Sequence, residues 1–135
     1  LIKKCVDARE AGAPFVEVWG TGSASREFLY VDDAAEGIVL GAERYDGGEP
    51  GNLGTGKETT IRELVNLIVE LTGYEGEVRW DPTKPDGQPR RGLDTRRARE
   101  LFGFAARHDF RDGLRETIAW HAERTAGSLQ SLRTL

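Results

Sequence analysis

Residues 15–33 read FVEVWGTGSASREFLYVDD, and this stretch decides what kind of domain the chain builds. The opening FVEVW alternates apolar and polar side chains, the period of a half-buried strand. Gly20, Thr21, Gly22 and Ser23 then make a turn, and residues 26–31 resume an extended course. A strand followed by G-x-G invites comparison with the dinucleotide fingerprint. That fingerprint needs a third glycine and a helix N-terminus facing the pyrophosphate. Neither follows here, because Ser23, Ala24 and Ser25 lead into another extended segment. The stretch is expected to be strand, turn and extended chain, without a cofactor site. Asp32 and Asp33 stand where an N-cap belongs, ahead of a helix over about residues 34–45.

Upstream, LIKKCVDAREA (residues 1–11) has the pattern of closing helical turns, with Gly12 as the stop. Downstream, GEPGNLGTG is a loop with a short strand expected around Asn52 and Leu53. Thr60-Ile61-Arg62-Glu63 fits the T-x-x-E capping box, in which each end satisfies an orphan amide of the other. The helix it opens spaces Ile61, Leu64, Val65, Ile68 and Leu71 along one face and stops at Gly73. Residues 77–80 are predicted to be a strand. Residues 81–93 hold three prolines and two glycines and are expected to be a loop. Asp94 is placed to cap a short helix through Leu101, stopped at Gly103. Asp109 is placed to cap a longer one carrying Phe110, Leu114, Ile118 and His121. From Ala126 the tail is polar, and residues 126–135 are expected to fray or be disordered. The sum is an α/β domain, about four helices and three short strands, spanning residues 1–125.

Composition narrows the function classes. The length of 135 residues and the 38% hydrophobic content suit one small domain. A net charge of -4 argues against general binding to nucleic acid or an anionic membrane, since neither polyanion attracts net negative charge. Cys5 is the single cysteine, which excludes an internal disulfide. No Cys, His and acid spacing resembles a metal site, and no Ser, His and acid arrangement suggests a triad. No apolar run approaches a membrane span and no signal pattern opens the chain, so a cytoplasmic location is expected. The chain opens on Leu1 and contains no methionine, which leads us to expect an excerpt of a longer protein.

Two loops carry groups suited to a ligand. In the first, Trp19 beside the glycine turn offers a stacking face, and Arg26 a bidentate fork for phosphate. The alternative is a Trp covering a small core and an Arg paired with Glu27 or Asp33. In the second, DPTKPDGQPRR (residues 81–91), prolines restrict the backbone and so limit the ordering cost of binding. Its alternative is a solvated connector. Gly54-Thr55-Gly56-Lys57 matches only part of a phosphate loop and is better explained as the turn entering the helix at Thr60.

Three segments in this order and spacing resemble the GDP-L-fucose synthase family: VWGTGSxxREFLYVDD from Val18, NLGTGxxxTIREL from Asn52, and KPDGxPRRxLD from Lys84. The likeness runs over about residues 1–121. The REFLYVDD segment is shared widely among nucleotide-sugar epimerases and dehydratases, whereas KPDGxPR is the more specific. The resemblance implies the helix-rich, carboxy-terminal, substrate-binding part of an extended short-chain dehydrogenase/reductase of the NAD-dependent epimerase/dehydratase superfamily. Carried over position by position, Lys4, Arg26 and Arg91 resemble cations facing sugar-nucleotide phosphates, and Trp19 and Asp86 resemble further substrate contacts. The resemblance places no catalytic and no cofactor-binding residue in this chain. It implies that NADP(H) and the Ser-Tyr-Lys catalytic set belong to an amino-terminal Rossmann domain, so this portion alone is expected to be inactive. The implied reaction converts GDP-4-keto-6-deoxymannose to GDP-L-fucose by epimerisation at two sugar carbons and hydride reduction. The implied partners are a GDP-sugar, the Rossmann domain and, for the whole enzyme, a second copy in a homodimer. A UDP- or dTDP-sugar epimerase or dehydratase is the alternative within the superfamily. A stand-alone, non-catalytic nucleotide-sugar-binding module is the alternative from another class.

Overall fold

The computed structural model describes residues 1–132. Strand β1 (Phe15–Trp19) runs parallel to β4 (Glu77–Asp81), with Phe15 opposite Glu77 and Trp19 opposite Asp81. A parallel pair needs a long crossover, and here the crossover contains β2 (Ser25–Glu27), α2 (Val31–Arg44), β3 (Glu58–Thr60) and α3 (Ile61–Thr72). Val16 and Val18 point inward from β1, as the alternation of residues 15–19 predicts. Helix α1 (Ile2–Glu10) packs on β1 and on α3 (Ile61–Thr72), burying Cys5, Val6 and Ala8.

Helix α3 is the centre of the domain. Its capping box is complete: the Thr60 hydroxyl accepts from the Glu63 amide, and the Glu63 carboxylate accepts from the Thr60 amide. Gly73 closes it in the left-handed conformation. Its apolar face meets α1 on one side and α5 (Phe110–Leu132) on the other, gathering Cys5, Leu64, Ile68 and Leu114 into one core. Ile68 and Val65 are almost wholly buried, worth about 1.5–3 kcal/mol each in transfer free energy. A separate core of Ala98, Phe102 and Phe104 forms where α2 (Val31–Arg44) meets α4 (Arg96–Phe102).

The second sheet has the order β3-β2-β5. Strand β2 (Ser25–Glu27) is antiparallel to β3 (Glu58–Thr60) and parallel to β5 (Arg90–Arg91). Two of these three strands were not expected from the sequence. Strand β3 replaces the strand expected at Asn52 and Leu53, which has no ladder partner. Strand β5 forms inside the loop of residues 81–93 because β2 offers it an edge. Such short strands carry too little periodic signal to be legible before their partners are known.

Helix α2 begins at Val31, three residues before the expected start, with Tyr30 as N-cap and no side-chain cap bond. Asp33 is therefore inside the first turn and caps nothing. Its carboxylate turns inward to the segment between α4 and α5. Likewise Thr95 is the N-cap of α4, while Asp94 accepts from the Arg96 amide and guanidinium one residue earlier. The Arg96 guanidinium first, then its amide, lower the Asp94 carboxyl to about 2. Asp109 binds the Arg111 amide at the start of α5, in keeping with its expected capping place. Helix α5 continues through Leu132, so residues 126–132 of the expected frayed tail are helical, and residues 133–135 lie outside the described residues. No helix among the described residues is long and apolar enough to cross a membrane.

Candidate functional site

The pleat of the small sheet sorts its charges. Side chains alternate between faces along a strand, and in-register neighbours share a face. Ser25, Glu27, Glu58, Thr60 and Arg90 thus occupy one face, and Arg26, Thr59 and Arg91 the other.

The first face is satisfied internally. Glu58 accepts from the Ser25 hydroxyl at 2.6 Å and from Arg90 Nε at 2.7 Å. The Arg90 bond, followed by that of Ser25, holds the Glu58 carboxyl below its ordinary range. Glu27 accepts from the Gly56 amide on one oxygen and the Leu93 amide on the other, each at 2.9 Å. It fastens the glycine loop of residues 54–56 and the loop after β5 to the same strand. A cavity of about 530 Å³ opens between these loops, beside Glu27, Gly56, Glu58 and Leu93.

The second face is different. Arg26 lies directly opposite Arg91. Arg26 Nη1 donates to the backbone carbonyls of Ser25 at 2.6 Å and Gln88 at 2.8 Å, which aim the guanidinium without neutralising it. Among the described residues, neither arginine has a carboxylate at ion-pair distance, so the earlier alternative of an Arg26 pair with Glu27 or Asp33 does not occur. Adjacent like charges are unfavourable. An anion bridging them would relieve that repulsion with charge-assisted bonds.

The glycine turn sits at the rim of this face. Trp19, the last residue of β1, is 65% exposed, so it covers no core. Lys84 places its ammonium 5.6 Å from the Trp19 ring centroid. Asp86 reaches the turn from the proline-rich loop. Its Oδ1 accepts from the Thr21 amide at 2.7 Å and the Gly22 amide at 3.3 Å, and its Oδ2 accepts from the Thr21 hydroxyl at 2.6 Å. The Thr21 hydroxyl, then the Thr21 amide, pull the Asp86 carboxyl below the usual range. From the opposite side, Arg62 donates to the Thr21 carbonyl and lies 4.4 Å over the Trp80 ring. The Trp80 ring in turn lies against Gly22, where a Cβ would meet it at 2.6 Å.

Four of the five expected site residues, Trp19, Arg26, Asp86 and Arg91, thus belong to one joined pair of loops and strands. Lys4 stands apart on α1, where its ammonium donates to the Glu17 carbonyl at 2.7 Å, two residues before Trp19. Sequence reasoning missed Glu27, Glu58, Arg62 and Trp80. The Arg26-Glu27 alternation held a usable signal, since adjacent strand residues must face opposite ways. Nothing comparable marks Arg62 and Trp80, which meet only through the fold.

The amides of Thr21, Gly22 and Gly56 are already engaged by carboxylates of the chain itself. Among the described residues, no group of three or more His, Cys, Asp or Glu side chains is placed to hold a metal ion.

Comparison with known proteins matches residues 1–54 to the NAD dependent epimerase/dehydratase family. GDP-L-fucose synthase 1 of Arabidopsis thaliana is 46% identical over 121 residues, which is 90% of this chain and 37% of that protein. A GDP-L-fucose synthetase from Naegleria fowleri, solved also with NADP bound, superposes with a TM-score of 0.86 at 26% identity, covering 93% of this chain and 39% of the other. The UDP-glucose 4-epimerase of Thermotoga maritima, solved with UDP-glucose, gives a TM-score of 0.79 at 29% identity, covering 92% and 40%. The chain therefore spans about two fifths of the length of the relatives it matches.

Proposed function

Because the chain belongs to the NAD-dependent epimerase/dehydratase family, we propose that it is the substrate-binding portion of an NADP(H)-dependent enzyme that converts GDP-4-keto-6-deoxymannose to GDP-L-fucose. The observation that carries this reading is the in-register pair Arg26 and Arg91, two guanidinium groups on one sheet face without a carboxylate between them. A nucleoside diphosphate supplies the anion this arrangement lacks. Arg26 and Arg91 bind its phosphates, and exposed Trp19 at the rim offers an apolar face to the base or sugar. Lys4 extends the positive charge along β1, and Asp86 organises the turn between them.

The preference for GDP rests on the KPDGQPRR segment and on the 46% identity to the Arabidopsis synthase. The fold does not choose the base, since a UDP-glucose 4-epimerase superposes nearly as well. In this reading NADP(H), the catalytic Ser-Tyr-Lys set and the homodimer contacts belong to the amino-terminal part of the complete protein. This portion orients the nucleotide-sugar toward them and is inactive by itself. Titrating the complete protein with GDP, UDP and dTDP tests the assignment. GDP is expected to bind best, and equal binding of all three overturns the fucose assignment.

A further inference from the structure

The turn of residues 20–23 is glycine-rich, with Gly20 and Gly22 buried and Thr21 and Ser23 exposed, and it has the geometry of a small anion-binding nest. Gly20 and Gly22 have φ of 81° and 77°, the left-handed region, which turns successive amides toward one point. That point is already filled. The Gly20 amide donates to the Asp81 carbonyl, the Thr21 and Gly22 amides to Asp86 Oδ1, and the Ser23 amide to the Thr21 hydroxyl. All four amides of the turn are satisfied within the chain. The fit is close on the other side as well, since a Cβ at Gly20 would lie 2.2 Å from Asp86 Oδ1.

We propose that Asp86 is a positioning residue, an internal anion that occupies the amide nest of the Gly20–Ser23 turn and thereby sets Trp19 and Arg26 in place. This inference rests on the reading of Arg26 and Trp19 as substrate contacts. Trp19 is the residue immediately before the nest, and Arg26 begins three residues after it. The loop that carries Asp86 also supplies the Gln88 carbonyl that aims the Arg26 guanidinium. One loop therefore fixes both ends of the proposed grip. The Asp86 carboxylate is spent on the turn, and the turn has no amide left for a phosphate. The diphosphate charge must accordingly be met by side chains, Arg26 and Arg91 first among them.

The test uses the complete protein carrying this chain, with KM measured for the nucleotide-sugar and, separately, for NADPH. Asp86→Ala is expected to raise the nucleotide-sugar KM about tenfold with NADPH unaffected, because the three hydrogen bonds that anchor the turn are lost. Asp86→Asn should recover most of that loss, since its carbonyl still accepts from the two amides and its NH2 meets the Thr21 hydroxyl. Added formate, a small carboxylate able to enter the vacated nest, should partly restore Asp86→Ala and leave the unmodified protein unchanged.

Should Asp86→Ala not fold, Thr21→Ala removes one bond to the carboxylate and is expected to raise KM a few-fold. An Asn variant as damaging as the Ala variant would mean that the charge itself meets the substrate, and it overturns the inference. If Arg26→Ala raises KM and neither Asp86→Ala nor Thr21→Ala does, only the positioning role fails. If Arg26→Ala also has no effect, the site reading beneath it fails.

Discussion

Asp33 holds His108 from inside the fold: its Oδ1 lies 2.9 Å from His108 Nδ1, while its Oδ2 accepts from the amides of Arg107 and His108. Asp33 is 1% exposed, and its carboxylate ties the first turn of α2 to the segment that enters α5. The His108 ring also packs 4.8 Å from Tyr30, so the N-cap residue of α2 is fixed by the same contact. Burial works against the charged form of Asp33, but the bonds from the His108 side chain, its amide and the Arg107 amide outweigh it. The carboxyl consequently stays below its ordinary value of 3.8.

A pH dependence follows. A carboxyl with a lowered folded pKa adds stability that is fully present above the unfolded value and is lost as pH falls through the folded value. The urea midpoint should therefore drop as pH falls below about 4. In Asp33→Asn this part of the drop should be smaller, and at pH 7 the variant should already be less stable by about 1–3 kcal/mol. Urea unfolding of both proteins between pH 7 and 2.5 measures the difference. Parallel curves would remove Asp33 from the acid response.

Arg26→Ala in the complete protein should raise KM for the nucleotide-sugar about tenfold or more and leave NADPH affinity nearly unchanged, because one charge-assisted phosphate contact disappears. Steady-state kinetics with each substrate varied in turn reads the split. An unchanged nucleotide-sugar KM would assign Arg26 to holding Gln88 alone.

Glu27→Ala should loosen two loops at once, since the Gly56 and Leu93 amides lose the same carboxylate. The expected cost is about 1–3 kcal/mol, seen as a lower unfolding midpoint. Amide hydrogen exchange should speed up at Gly56 and Leu93 together. Faster exchange at only one of them would show that the loops are fastened independently. Gly54→Ala should act similarly, because its Cβ would lie 2.1 Å from Glu27 Oε1.

Thr60→Ala removes the cap of the central helix and should cost about 1 kcal/mol, whereas Thr60→Ser should be close to neutral. Chemical denaturation of the two variants side by side checks this. Equal losses would point to the Thr60 methyl group rather than its hydroxyl.

The sequence alone determined the parts whose signal is local. Alternation at residues 15–19, the T-x-x-E box at Thr60, the helical spacing of Leu64, Val65 and Ile68, and the stops at Gly73 and Gly103 all read directly into elements. These succeed because strand period, capping and helix period depend on neighbours within a few residues. The two-residue strand β5 and the strand β3 were not legible, because each exists only through β2. Asp33 fitted a capping position and was drawn instead to backbone amides 74 and 75 residues away. The site divides the same way. Its residue types, an exposed Trp, two arginines and an aspartate in stiff loops, could be picked out by chemistry and resemblance. Their contacts came from the tertiary structure, where register places Arg26 beside Arg91 and where Asp86 closes on the glycine turn. Hydrogen bonds between residues more than sixty positions apart leave no period in a sequence, and only the folded chain decides which partner each charge finds.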